Sequence, residues 1–166
     1  MPDFYIKRYT PGIRKDIVLL MIEFGDYIEK IDDLDETEYK DGSAEYFTDK
    51  MVRDVNENNG AIFVGYMDNK AVGFIGGYKS KQNKNEKMES IRLTPGVVNE
   101  FFVTTSSRGK SIGKKLLLTL EKYLKSQGCD IIRLEVFAPN LLARNFYQKH
   151  GFKERLITLS KQLHSL

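Results

Sequence analysis

The stretch from Val97 to Phe137 constrains the fold more than any other part of the chain. It predicts a strand over 97–104, a turn at 106–109, an amphipathic helix and a second strand over 131–137. The apolar positions of the helix, at 112, 116, 117, 120, 123 and 124, lie on one stripe, and Gly128 follows as a C-terminal stop. Two strands joined through a helix are expected to be parallel neighbours with a right-handed crossover. The sequence therefore predicts a βαβ unit.

The flanking sequence predicts further strands and helices. Strands are predicted at Phe4–Tyr9, Ala61–Met67, Ala71–Tyr78 and Phe152–Leu159, and helices from Ile13 to about Ile31, from a Ser43 cap onward, and between Pro139-Asn140 and Gly151. The residues Asp68-Asn69-Lys70 between two of these strands are typical of an antiparallel hairpin. Lys79–Glu89 is almost without apolar residues and is predicted to be a solvated loop or a poorly ordered excursion. We expect a mixed α/β sheet with helices on its faces, in a single domain over residues 1–166.

Composition excludes several classes of protein. The 26 basic and 23 acidic residues among 166 leave a net charge of +3, which is too balanced to identify a nucleic-acid binder. A single cysteine, Cys129, excludes an intrachain disulfide framework, and with only two histidines no metal site is expected. No apolar run reaches the length of a membrane span or a signal peptide. We therefore expect a soluble, cytoplasmic protein with no membrane partner.

The turn before the central helix carries the residues best suited to bind a ligand. Ser107–Lys114 joins a strand to the first turn of the helix, and its glycines let the backbone approach a ligand closely. Unpaired N–H groups and the helix dipole favour an anion there, and four basic side chains between 108 and 115 add positive charge. A P-loop is excluded, because three residues instead of four separate Gly109 from Gly113 and Lys115 replaces Ser or Thr. The pattern predicts a phosphate or pyrophosphate site, with an ordinary basic helix start as the alternative.

Two motifs in this half of the chain resemble the signatures of the GNAT superfamily of N-acetyltransferases. The run RGKSIGKKLL at 108–117, after a strand ending in Glu100–Val103, is similar to the acetyl-CoA signature Arg/Gln-x-x-Gly-x-Gly/Ala. Downstream, Asn140 and the run ARNFYQKHGF at 143–152 are similar to the family's second motif, in which Asn opens a helix and Phe-Tyr and Gly-Phe close it. The resemblance implies a mixed, mostly antiparallel sheet with a central parallel strand pair, about four flanking helices, and acetyl-CoA as co-substrate.

The chain departs from the family pattern at two places. Ser111 stands at the first glycine of the acetyl-CoA signature, where its Cβ would crowd the pyrophosphate and weaken binding, although its hydroxyl could donate a hydrogen bond. Only Lys153–Leu166 follow the second motif, where many relatives have a further hairpin. The wall on the acceptor side is therefore expected to be shortened or to come from a partner subunit.

The resemblance also implies which residues bind the co-substrate. The main chain of Phe102 and Val103 would hold the pantetheine arm as an added strand would, and Asn140 would hold the cofactor at the next helix. An ordinary helix cap is the alternative role of Asn140. The residues implied in cofactor binding are Phe102, Val103, Arg108, Gly109, Lys110, Ser111, Ile112, Gly113, Lys114, Asn140, Ala143 and Phe146.

Two further residues match the family's catalytic acid and base. Tyr147 is at the position of the usual general acid, and a phenol with a pKa of about 10 can protonate a leaving thiolate with a pKa of about 8.5. Glu100 is where relatives often carry a carboxylate that removes a proton from the amine, commonly through water. Strand alternation places Glu100 and Phe102 on one face and Phe101 and Val103 on the other. The structural alternatives are aromatic packing for Tyr147 and an edge charge for Glu100.

An acidic stretch between the first two predicted helices indicates the acceptor. Nine acidic residues and two lysines lie between Glu29 and Asp49. In GNAT relatives this connection often borders the acceptor. We therefore hypothesise a cationic acceptor such as a polyamine, an aminoglycoside or a lysine side chain, with a solvated loop as the alternative.

The resemblance implies direct transfer of an acetyl group from acetyl-CoA to a primary amine of a small molecule or peptide in a ternary complex. One alternative is a non-catalytic regulatory module that binds CoA. Another is a nucleic-acid-binding protein that uses the basic helix from Arg108 to Lys125. Because GNAT proteins are often dimers, a homodimer is expected.

Overall fold

The computed structural model describes residues 3–89, 93–161 and 163. The chain divides into two units, Met1–Glu135 and Val136–Leu166. The first contains β1 (Phe4–Arg8), α1 (Arg14–Ile31), α2 (Ser43–Glu57), β2 (Ala61–Met67), β3 (Lys70–Lys79), α3 (Lys84–Glu89), β4 (Pro95–Val103), α4 (Ile112–Ser126) and β5 (Ile131–Arg133), and the second contains α5 (Leu141–Lys149). Short 3₁₀ turns precede α1 and follow β4.

The strands form one mixed sheet in the order β1-β2-β3-β4-β5. Neighbouring strands are antiparallel except for β4 and β5, which are parallel and pair from Pro95↔Ile131 to Val97↔Arg133. The predicted βαβ unit and mixed α/β fold are confirmed. The strand predicted to reach Phe137 ends at Arg133, because pairing with β4 stops there and the next residues lack a ladder partner in the described sheet.

The register of the sheet is affected by the hairpin of β2 and β3 and by a bulge in β4. Asp68 and Asn69 adopt φ angles of 48° and 63°, as the mirror-image hairpin turns require. Between β3 and β4, Gly76 pairs with Glu100 but Gly77 pairs with Val98. Asn99 is therefore an extra residue, and it forms a β-bulge directly before Glu100.

Helices cover both faces of the sheet. On one face, α1 and α2 pack with the strands in a core that includes Ile17, Met51, Phe74 and Phe102. A Cβ on Gly76 would lie 2.5 Å from the Met51 sulfur, so any larger residue here would require the Met51 side chain to shift. The next residue of β3, Gly77, faces Leu120 of α4, as strand alternation requires. None of the helices in the described ranges is long and apolar enough to cross a membrane.

Two local predictions are corrected by capping interactions. The stretch predicted to be a solvated loop contains α3, which begins with a capping box: Glu86 N–H donates to Asn83 Oδ1 and Asn83 N–H donates to Glu86 Oε2, both at 2.8 Å. Ser43 is the first residue of α2 and not its cap. The cap position is taken by Gly42, whose φ of 83° a glycine adopts without strain.

The last predicted strand is not present. Residues 152–161 contain no regular secondary structure, and Leu156 and Leu159 are 88% and 90% exposed. The segment has the alternation of a strand, but none of the described strands pairs with it, and an unpaired strand leaves its backbone hydrogen bonds to water. The prediction at Phe152–Leu159 is therefore wrong for this chain.

Candidate active site

The turn that leads from β4 into α4 has the backbone of an anion site. Gly109 and Ser111 both adopt left-handed conformations, with φ angles of 79° and 62°. The first intrahelical bond of α4 runs from Lys115 N–H to Ser111 O at 3.1 Å, so the three N–H groups before it lie ahead of the helical ladder. No side chain caps the helix through Ser111. The N–H groups and the dipole of a 15-residue helix are therefore presented at an exposed turn.

The basic side chains around this turn differ in their contacts. Arg108 lies over the Tyr27 ring at 4.3 Å and donates from Nε to the Val103 carbonyl at 3.1 Å, so it holds the loop in place. Lys115 lies over the Phe4 ring at 4.7 Å. Lys110 and Lys114 are exposed to solvent. Ile112 is buried, so only its main chain could contact a ligand.

The end of β4 has the two residues predicted to hold an extended ligand. Beyond Val97, β4 pairs with β3 alone among the described strands, which leaves its other edge without a strand over Val98–Val103. Phe102 is 3% exposed and packs on Phe24 of α1, with ring centroids 5.3 Å apart. Its side chain belongs to the core, so a role in ligand binding falls to its main chain.

Helix α1 fixes the loop after β4, which sequence reasoning missed. Glu23 Oε1 accepts a hydrogen bond from Thr105 N–H at 3.1 Å, one turn before Tyr27 stacks on Arg108. Both contacts join residues about 80 positions apart, so no local pattern could have revealed them. They place the C-terminal half of α1 beside the predicted cofactor turn.

Glu100 is mostly buried on β4. Burial raises the pKa of its carboxyl to about 7, and the positive charge of Lys50 on α2 offsets part of that rise. Its cross-strand partner Gly76 faces Met51, so Glu100 lies on the face covered by α1 and α2, together with Phe102 as predicted. At about 3.3 Å per residue, Glu100 lies about 10 Å along the strand from Val103.

A polar network that the sequence did not reveal lies beside Glu100. Asp54 Oδ2 accepts from Lys50 Nζ at 2.8 Å and from Asn99 Nδ2 at 3.2 Å. Tyr39, from the loop between α1 and α2, also faces this region, and burial, then the charges of Glu100 and Glu29, raise its pKa. The spacing of Lys50 and Asp54 predicts an ion pair on a helix, but their connection to Glu100 depends on the bulge at Asn99.

The acidic stretch divides into residues that build the loop and residues that face solvent. The Asp32 carboxylate accepts hydrogen bonds from the N–H groups of Leu34, Glu36 and Thr37. The pKa of Asp32 is lowered, most strongly by a hydrogen bond from the Thr37 side chain and further by the hydrogen bonds from these backbone groups. Glu29 accepts from Tyr39 N–H. The remaining carboxylates of the loop, at Asp33, Asp35, Glu36, Glu38 and Asp41, are exposed.

The second unit carries the other predicted site residues on α5. Asn140 Oδ1 accepts from Ala143 N–H at 3.1 Å, so Asn140 caps this helix. The Phe146 and Tyr147 rings lie 5.6 Å apart, edge to face, and Tyr147 also packs on Phe152 at 5.5 Å. The Tyr147 side chain is half-buried against these rings.

Across the described residues, no group of three or more His, Cys, Asp or Glu side chains could hold a metal ion.

Known proteins resemble this chain in sequence and in structure. An uncharacterised N-acetyltransferase of Methanocaldococcus jannaschii is 34% identical over 95 residues, which are 57% of this chain and 53% of that protein. The spermidine N(1)-acetyltransferase of Thermoplasma acidophilum is 34% identical over 112 residues, which are 67% of this chain and 62% of that protein. The chain therefore spans a little over half the length of these relatives.

A solved structure extends the likeness over the fold. The aminoglycoside N-acetyltransferase AAC(6')-Iy, in complex with the bisubstrate analogue CoA-S-monomethyl-acetylneamine, matches with a TM-score of 0.69 at 16% identity, over 97% of this chain and 99% of that one. The model of the acetyltransferase (GNAT) family matches residues 27–152, which is well over half of the chain and includes parts of both units. The resemblance of the two motifs is thus confirmed, and the chain belongs to the GNAT family of acetyltransferases.

Proposed function

We propose that this protein transfers an acetyl group from acetyl-CoA to a primary amine, directly and in a ternary complex. The observation that carries the proposal is a mostly buried carboxylate, Glu100, with a pKa of about 7, on the strand that leads into a helix start without a side-chain cap. Amine acetylation is helped by a base whose pKa is near neutral pH, which Glu100 on β4 provides. It also needs a site for the CoA diphosphate, which the turn after β4 provides in this proposal. The match of the family model to residues 27–152 supports the proposal that residues 1–166 act as one acetyltransferase domain.

The residues of the turn fit a CoA diphosphate. Gly109 and Ser111 turn the backbone so that N–H groups up to Lys114 precede the first helical bond, and nothing lies within 4 Å of where a Cβ on Gly109 would be. The exposed ammonium groups of Lys110 and Lys114 add positive charge without a competing ion pair among the described salt bridges. The strand-free edge of β4 at Phe102 and Val103 offers main-chain groups for an extended pantetheine arm.

Glu100 acts as the base in this proposal. A primary alkylamine has a pKa of about 10.4, so it arrives mostly charged and must lose a proton before it attacks. With a pKa of about 7, Glu100 is partly ionised at neutral pH and accepts that proton directly or through one water. Acetyl-CoA supplies a thioester: the amine nitrogen forms a bond to the acetyl carbon, and the carbon–sulfur bond breaks.

Tyr147 acts as the acid. The thiolate that leaves must receive a proton, and the phenol of Tyr147 occupies the position of the acid in the family motif. Packing on Phe146 and Phe152 fixes its ring within the second unit, which supports a role that requires a defined orientation. Asn140, Ala143 and Phe146, on the same helix, are proposed to contribute to cofactor binding.

The test is release of free thiol from acetyl-CoA with a panel of amines. Glu100→Gln and Tyr147→Phe should each lower kcat at least tenfold and leave the CoA affinity measured by calorimetry unchanged. Exposed residues supply the matched controls: Glu57→Gln and Tyr46→Phe should retain full activity. If the protein binds CoA but releases no thiol from acetyl-CoA with any amine, the regulatory module is supported instead. If it does not bind CoA, the proposal is refuted.

The acceptor is proposed to be cationic. Five exposed carboxylates lie on the loop between α1 and α2. The charge of Glu100 contributes to the raised pKa of Tyr39 on the same loop, so the loop borders the proposed base. A negative loop beside the site raises the local concentration of a cation. The similarity to a spermidine acetyltransferase supports this class of acceptor, to which polyamines belong.

The acceptor class is tested by neutralising the loop. Replacing Asp33, Asp35, Glu36, Glu38 and Asp41 with their amides should raise the KM for a polyamine several-fold and leave its kcat unchanged. A monoamine that carries a distant carboxylate serves as the control, and its KM should not rise. Equal KM values for the polyamine in both proteins would contradict a cationic acceptor while leaving the acetyl transfer itself intact.

A further inference from the structure

One carboxylate oxygen joins helix α2 to the bulge of β4. Asp54 Oδ2 accepts from Lys50 Nζ at 2.8 Å and from the bulge residue, Asn99, through its Nδ2 at 3.2 Å. The Asp54 side chain is only 20% exposed, so these bonds form in a partly dehydrated site. The shared oxygen therefore fixes the ammonium of Lys50 near the residue that directly precedes Glu100.

The packing of α2 brings this pair over Glu100. Met51 is 1% exposed and lies on Gly76, the cross-strand partner of Glu100. Lys50 and Asp54 lie one turn apart on the same helix, on one side of Met51. The approach of α2 at a glycine thus places one cation and its counterion beside the pair formed by Gly76 and Glu100.

The charged and titratable groups around Glu100 come from every element packed there. Lys50 from α2 lowers the pKa of Glu100, and the hydrogen bond to Asp54 raises the pKa of Lys50. Tyr39 from the loop faces Glu100, with Glu29 of α1 acting on Tyr39. Tyr78 of β3 also raises the pKa of Lys50. Lys50 is thus the group that opposes the burial of Glu100.

We propose that Lys50, fixed by Asp54, is a positioning residue that keeps Glu100 available as a carboxylate near neutral pH. The inference rests on the proposed function, in which Glu100 takes the proton of the acceptor amine. Without the ammonium, burial acts on Glu100 unopposed, so the carboxyl holds its proton to a higher pH and is lost as a base in the neutral range.

The first measurement follows Glu100 itself and needs no acceptor. Carboxyl ¹³C NMR of the full chain, with the Glu100 signal assigned by its loss in Glu100→Gln, gives the titration midpoint. Lys50→Met should raise that midpoint by about half a pH unit or more, and Lys50→Arg should restore it, since the charge is kept. The Lys50 side chain is 44% exposed, so methionine should be accommodated. Lys125→Met, an exposed residue of α4 on the other face of the sheet, should leave the midpoint unchanged.

The second measurement follows activity against pH. Thiol release from acetyl-CoA by Lys50→Met should fall several-fold below wild type at pH 6.5 and approach the wild-type value at pH 9, with Lys50→Arg close to wild type throughout. A merely structural role would lower activity by the same factor at every pH. Far-UV circular dichroism confirms that each variant is folded.

The outcomes separate this inference from the proposed function. An unchanged Glu100 midpoint in Lys50→Met would overturn the role of Lys50 and leave the acetyltransferase proposal standing. A shifted midpoint with no change in the pH profile would overturn both the role of Lys50 and that of Glu100 as the base, and would leave only acetyl transfer itself standing. If wild-type protein acetylates no amine in the panel, the proposed function fails, and the role of Lys50 in it fails as well. A raised midpoint together with a loss confined to low pH supports the inference.

Discussion

Replacing Glu100 with glutamine should stabilise the protein at alkaline pH, and the size of the effect follows from its burial. Burial raises the pKa of Glu100 from its ordinary 4.5 to about 7. The folded protein therefore binds a proton more tightly than the unfolded chain does. Between these two pKa values the free energy of unfolding falls as pH rises, because the unfolded chain ionises first.

The magnitude is a few kilocalories per mole. Each unit of pKa corresponds to about 1.4 kcal/mol, so a rise from 4.5 to about 7 makes the wild-type protein about 3 kcal/mol less stable above pH 7 than it is well below pH 4.5. Glutamine has nearly the same shape and never ionises. The stability gain of Glu100→Gln over wild type should therefore grow by about 2 to 3 kcal/mol between pH 5 and pH 8.

Urea unfolding at the two pH values measures this gain. Far-UV circular dichroism serves as the probe, since the chain has no tryptophan. Glu38→Gln, at an exposed position of the loop, is the control and should show no gain that depends on pH. A gain for Glu100→Gln that is equal at pH 5 and pH 8 would show that Glu100 ionises normally, and the argument for it as a tuned base would then fail.

The remaining predictions concern the turn, the loop and a surface ion pair. Ser111→Gly should raise the stability by up to about 1 kcal/mol in urea unfolding, because left-handed φ costs a side-chain-bearing residue about 1 to 2 kcal/mol and glycine gives back about half of that in backbone entropy. CoA should bind more tightly to this variant in calorimetry, since the Cβ no longer faces the proposed diphosphate. Asp32→Ala should speed hydrogen exchange at the Thr37 amide, and wild type should keep its protection at pH 5 because the pKa of Asp32 is lowered. Arg14→Met breaks a bidentate ion pair with Asp49 in which the two side chains are 39% and 57% exposed, and we expect a loss of at most about 1 kcal/mol in urea unfolding.

Much of the fold could be predicted because its signals are local. The apolar period of α1 and α4, the hairpin turn at Asp68 and Asn69, and the glycine after α4 each depend on a few neighbouring residues. The short helix α3 was missed because it has no apolar stripe, although Asn83 and Glu86 carry a capping box. A capping box alone could have corrected that prediction.

Predictions that depended on distant partners were less successful. The segment 152–159 has the alternation of a strand, but alternation does not supply a neighbouring strand, and none of the described strands pairs with it. The bulge at Asn99 depends on the register with β3, which no residue of β4 encodes alone. The environment of Glu100 depends on that bulge, so the candidate base could be found by resemblance, but its pKa and its link to Lys50 required the structure.

The extra residue in β4 has a consequence for engineering this site. On either side of Asn99 the ladder continues with Val98 opposite Gly77 and Glu100 opposite Gly76, so a chain shortened by that one residue could form the same pairs. Neither of these two pairs uses Asn99. Asn99 contributes an amide hydrogen bond to Asp54 that links the strand to helix α2. Deleting this one residue would remove that bond while Glu100 could still pair with Gly76.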